Sequence, residues 1–219
     1  MIITKNFAFL HVPRTGGIWV RMVMERAPKD WGVVELPGHP PATAAPRGLR
    51  TFAFVRNPWD WYGSLFRHWE KAWTDGRLTG ATARPFTGRG AAAIAAGGSA
   101  ASAALNMWKG RFQRCGTGAE GFRKMLPEMV KQSQAWHQSW ITKRDTEFGR
   151  FENLRGELAR LIGVRLPSDV RDAIDNMAAQ NGDNSRRYAA LYDPNGTRLV
   201  SQVERSILAR FAYAPHSAP

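Results

Sequence analysis

The sequence predicts an α/β protein, and two segments carry that expectation. Phe7-Ala-Phe-Leu-His-Val-Pro-Arg-Thr-Gly-Gly17 and Thr51-Phe-Ala-Phe-Val-Arg-Asn-Pro-Trp-Asp-Trp-Tyr-Gly-Ser64 are each a short apolar run that stops in a turn with cationic and hydroxyl side chains. Runs of that length suit buried strands better than helices. With 219 residues, 43% of them hydrophobic, the chain is long enough for one substantial core, so a single domain over 1–219 is expected.

Taken in order, residues 7–12 read as a strand that ends at Pro13, which cannot donate to a continuing ladder. Thr15, Gly16 and Gly17 supply a tight turn, and residues 18–26 read as a helix whose first N–H groups lack partners. Residues 31–36 predict a short strand, and 37–50 a Pro- and Ala-rich loop. Residues 51–55 form the next buried strand. Pro58 suits the first turn of a helix on which Trp61, Leu65, Phe66 and Trp69 fall near helical spacing. A low-complexity insertion follows at about 74–104, rich in Gly, Ala, Thr and Arg, with too little apolar bulk for more than a loosely packed helix. Later come a strand at 148–151, a helix at 153–162, and a helix striped by Leu199, Val203, Ile207 and Phe211.

A strand, a glycine turn and a helix N-terminus in succession can cradle a phosphate, although a lone Thr-Gly-Gly turn fits an ordinary strand-to-helix connection equally well. The turn is not a Walker A loop, because G-x-x-x-x-G-K-[ST] cannot be fitted to it. Arg56 at the end of the second strand and Ser64 two helical turns later add a planar cation and a hydroxyl, a good phosphate pair. An arginine at a strand end also serves in surface ion pairs.

Together these residues resemble the sulfotransferases that use 3′-phosphoadenosine 5′-phosphosulfate (PAPS), particularly the carbohydrate O-sulfotransferase branch. His11-Val-Pro-Arg-Thr-Gly-Gly17 resembles that family's 5′-phosphosulfate loop, usually P-K-T-G-G-T-S, and Val55-Arg-Asn-Pro-Trp-Asp60 with Ser64 resembles its 3′-phosphate motif. Phe148-Gly-Arg-Phe-Glu-Asn-Leu154 is similar to the family's later strand and turn, and residues 188–213 to its closing region. The resemblance implies a three-layer α/β/α fold with a mostly parallel central sheet, the P-loop-NTPase-like sulfotransferase fold, and transfer of a sulfuryl group from PAPS to a hydroxyl acceptor such as a carbohydrate, leaving adenosine 3′,5′-bisphosphate (PAP). It also implies cofactor contacts from Arg14, Thr15, Gly16, Gly17, Ile18, Trp19, Arg56 and Ser64, with Ser185 and Arg186 in a polar, basic turn as further candidates.

Three positions depart from the family pattern. Arg14 stands where a catalytic lysine is usual; it keeps the charge but is no proton donor. Ile18 and Trp19 replace two hydroxyl residues, which leaves Thr15 and backbone N–H groups for the 5′-phosphate; the cytosolic branch does carry Trp at the position of Trp19. For the base that deprotonates the acceptor, the resemblance points to His39, in Leu36-Pro-Gly-His-Pro-Pro41; an imidazole pKa of about 6.5 suits that work. A histidine between prolines also fits an exposed loop, and Glu35 is the runner-up base.

No metal is expected, since no two histidines lie three or four residues apart and there is one cysteine. The same cysteine count excludes an internal disulfide framework. No charged-then-apolar leader or apolar run of about 18 residues appears, so a soluble, cytoplasmic protein without a transmembrane segment is expected. A net charge of +13, from 31 Lys and Arg against 18 Asp and Glu, favours polyanionic partners. Basic residues are scattered rather than clustered, which argues against specific nucleic-acid recognition. The alternatives are a PAPS- or PAP-binding homologue with impaired catalysis, a P-loop-type nucleotide kinase, and a basic nucleic-acid-binding protein.

Overall fold

The computed structural model describes residues 1–36, 44–76, 98–141, 145–163, 166–177 and 188–214. They fall into two compact units, Met1–Asn57 with Ala135–Asn184 and Pro58–Gln134 with Ser185–Pro219.

The first unit is built on a mixed sheet of β1 (Ile2–Ile3), β2 (Phe7–Leu10), β3 (Val34–Glu35), β4 (Arg50–Val55) and β5 (Thr146–Arg150), in the order β3-β1-β2-β4-β5. β2, β4 and β5 pair in parallel, while β1 runs antiparallel to both β2 and β3. A strand antiparallel to β1 runs with β2, so β1 alone opposes the common direction of the sheet. The expected α/β class and the predominance of one strand direction are therefore present.

Side chains alternate across this sheet as the pleat requires. Phe7, Phe9, Phe52 and Phe54 face one core with Trp19, Val20 and Val23 of α1 (Gly17–Met24), Leu158 and Leu161, and Val170 and Ile174. Ala8, Leu10 and Ala53 face the other with Met1, Val12 and Ala45. Both faces are buried, which is why the strands read as unbroken apolar runs.

The second unit is helical. It contains α2 (Pro58–Thr74), α3 (Gly98–Cys115) and most of α4 (Gly118–Ile141). α5 (Leu154–Ile162) and α6 (Ser168–Asn176) belong to the first unit; α7 (Pro194–Val203) and α8 (Arg205–Phe211) complete the second. Trp59, Trp61, Tyr62, Phe66, Trp108, Phe112 and Phe122 fill its core, with Trp69 and Trp73 packed against it. Gly63 is required there, because a Cβ would lie 2.6 Å from the Tyr188 ring. The buried Tyr192 hydroxyl donates to the Trp59 carbonyl at 2.7 Å, and burial first, then Tyr62 and Asp60, push its pKa well above the usual phenol range.

The stripe of Leu199, Val203, Ile207 and Phe211 does not lie on one unbroken helix. α7 stops at Val203 and α8 begins at Arg205, with Glu204 between them at φ −93° and ψ 16°. The residues most deeply buried along this stretch are Val200, Glu204 and Ile207.

Candidate functional site

The turn between β2 and α1 is shaped by its own polar groups. Val12 N–H turns back to the Leu10 carbonyl at 3.0 Å, and Pro13 follows with no N–H to offer. The buried Thr15 hydroxyl donates to the Val12 carbonyl at 2.7 Å, so its proton is committed to the loop. Arg14 (φ 65°) and Gly16 (φ 84°) both take left-handed backbone conformations. For an arginine this conformation is uncommon, and it reverses the chain within the few residues between strand and helix. Gly16 caps α1, and Val20 N–H bonds to its carbonyl at 3.1 Å. The amides of Gly17, Ile18 and Trp19 thus stand at the helix start without an intrahelical acceptor.

Both glycines are also demanded by packing. A Cβ on Gly16 would lie 2.7 Å from Leu154 Cδ2, and one on Gly17 would lie 1.9 Å from the His11 ring. That ring stacks on Phe9 at a centroid distance of 6.1 Å. His11 is a packing residue in this arrangement.

Arg56 follows the last residue of β4, the strand adjacent and parallel to β2. It is only 7% exposed. Its Nη1 donates to the Arg14 carbonyl at 3.2 Å, and its Cζ lies 4.3 Å from the centre of the Phe151 ring. Asn57 N–H donates to Glu152 Oε1 at 2.7 Å. The ends of β2, β4 and β5 therefore meet through Arg14, Arg56 and the Phe151–Glu152 turn.

The sheet order gives this meeting point a further property. From β2 the chain passes through α1 to β3, on one side of the sheet, whereas from β4 it returns as β5 on the other. Adjacent parallel strands whose connections leave in opposite directions form a topological switch point, where open α/β sheets bind ligands beyond the strand carboxyl ends.

The remaining predicted residues are less uniformly placed. Ile18 is 44% exposed on the first turn of α1. Trp19 is 3% exposed and lies in the core, its indole N–H donating to the Met177 carbonyl at 3.3 Å. Ser64 is a buried residue of α2 in the second unit. His39, Ser185 and Arg186 lie outside the described residues, as does most of the low-complexity insertion. Glu35 is on β3, where Arg21 Nη1 approaches it at 3.7 Å.

No family model, curated protein or solved structure matches the chain. The chemistry of the site therefore rests on its own residues. Arg14 and Arg56 make the turn cationic, and the helix-start amides add oriented donors. Among the described residues, no group of three His, Cys, Asp or Glu is placed to hold a metal ion, and no helix is long and apolar enough to cross a membrane.

Phe151, Glu152 and Leu154 were not singled out for a role by sequence reasoning. The available signal was an aromatic–acid pair immediately after a strand, which acquires meaning only when β5 is known to lie beside β4.

Proposed function

We propose that this chain is a PAPS-dependent sulfotransferase that transfers a sulfuryl group to a hydroxyl acceptor, such as one on a carbohydrate. The observation that carries the proposal is the junction at the ends of β2 and β4: a left-handed Arg14–Gly16 turn at a helix start, bonded through the Arg14 carbonyl to Arg56. These are the two segments whose sequences resemble the family's two nucleotide motifs, and they adjoin at a switch point.

The donor set suits a polyanionic nucleotide. Arg14, the amides of Gly17, Ile18 and Trp19, and Arg56 would hold it, while Thr15 shapes the loop through Val12. Bound PAPS would supply the sulfuryl group. His39 removes the proton as the acceptor oxygen bonds to sulfur. The bond between sulfur and the bridging phosphate oxygen breaks, that oxygen keeps the electron pair, and PAP leaves. Arg14 and the loop amides stabilise the charge gained there. Most of the acceleration comes from positioning and preorganised electrostatics.

A second reading, nucleotide binding without efficient turnover, is favoured by arginine in place of the usual lysine at position 14. Calorimetric titration with PAP, ADP and ATP with magnesium, on wild type and Arg56→Ala, tests the assignment. Metal-independent PAP binding tighter than ADP binding is expected, and loss of Arg56 should weaken it roughly tenfold to a hundredfold, the worth of a charge-assisted hydrogen bond. Absence of PAP binding, or preference for ATP with magnesium, would sink it. Sulfuryl transfer in an acceptor screen, reduced by His39→Ala, would separate turnover from binding alone.

A further inference from the structure

The Phe151 ring touches both halves of the junction. Arg56 Cζ lies over it at 4.3 Å from the centroid, and Phe151 Cε2 is 3.3 Å from where a Cβ on Gly16 would sit. The next residue, Glu152, accepts the N–H of Asn57 at 2.7 Å. These contacts come from neither motif. They come from the 3-10 turn Phe151–Asn153, which directly follows β5.

The face of an aromatic ring attracts a guanidinium through its quadrupole and so restrains where the cation lies. Arginine is also a long side chain with much rotamer freedom to lose, so holding it beforehand lowers the cost of binding. We propose that Phe151 is a positioning residue that fixes the Arg56 guanidinium, by a cation–π contact, for binding the nucleotide phosphate. The inference rests on the nucleotide-binding role given to Arg56.

The test combines PAP titration of wild type, Phe151→Leu and Phe151→Tyr with nitrogen-edited NMR of the arginine Nε–H groups, the Arg56 resonance being the one that Arg56→Lys removes. Phe151→Leu should weaken PAP binding roughly threefold to thirtyfold, and Phe151→Tyr should restore it to within about twofold, because only the aromatic face matters. The Arg56 resonance should show a ring-current shift in wild type and the Tyr variant and lose it in the Leu variant. Unchanged affinity in Phe151→Leu, a Tyr variant as weak as the Leu variant, or no ring-current shift in wild type would each overturn the proposal. If wild type binds no PAP, the nucleotide role falls and the proposal falls with it; the NMR signal then decides only whether the Phe151–Arg56 contact exists.

Discussion

Gly17 is a glycine because His11 occupies the space that a side chain would need. A Cβ there would lie 1.9 Å from both Cδ2 and Nε2 of His11, far inside van der Waals contact. Replacing glycine by alanine in a helix ordinarily gains about 0.5–1 kcal/mol, whereas overpacking costs about 1–3 kcal/mol, so the clash should win. Gly17→Ala is expected to lower stability in urea denaturation by about 1–2 kcal/mol. The same substitution in a His11→Ala background should be nearly neutral or stabilising, and equal losses in both backgrounds would rule out the ring as the cause. At this scale the sequence was legible in kind. The Thr-Gly-Gly turn and Arg56 at a strand end were readable from local chemistry. What was not readable was which atoms demand each residue: Gly16 and Gly17 answer to Leu154 and His11, and Thr15 bonds to Val12.

Elements were legible where a strand or helix carries its own terminator. Pro58 opens α2 as expected, whereas β2 ends at Leu10, two residues short of the expected limit at Val12, because Val12 N–H turns back to the Leu10 carbonyl. Elements set by distant partners were not. β1 is two residues long and exists through its pairing with β2 and β3, and α4 continues through Pro127. The apolar period of four from Leu199 to Phe211 also misjudged the inner line, because its buried centre is the polar Glu204. Glu204 is accommodated by Tyr62, whose hydroxyl donates to Oε1 at 2.6 Å. Tyr62 itself is fully buried. Tyr62→Phe should therefore cost about 1–3 kcal/mol by removing a hydrogen bond to a buried carboxylate. Tyr62→Phe with Glu204→Leu should recover most of that loss, since apolar groups of similar volume can replace a buried polar pair. Additive losses in denaturant titrations of the cycle would show that the hydrogen bond does not hold the α7–α8 junction.

Across the whole molecule, composition sets the net charge while topology sets which strand ends adjoin. The α/β class followed from two apolar runs, but the switch point did not, because it depends on β3 lying beyond β1 and β5 beside β4. No local signal encodes that order. The net charge of +13 is legible from the sequence, and its effect is long-ranged. Raising the salt concentration from about 0.1 M to 1 M shortens the Debye length from about 10 Å to 3 Å, which removes steering while affecting close, buried contacts much less. On the proposed function, the association rate of PAP should fall by roughly tenfold or more over that range, with a much smaller change in dissociation, as read by stopped-flow mixing. A dissociation rate that rose as steeply as association fell would place the salt-sensitive cations in contact with the ligand instead. Duplex DNA offers the opposing case: counterion release makes nonspecific affinity fall steeply with salt whatever the sequence. DNA binding that PAP fails to compete would assign the charge to a surface other than the Arg14–Arg56 junction. Competition between the two would mean that the Arg14–Arg56 junction attracts both, and that selectivity between them comes from the shape of the turn.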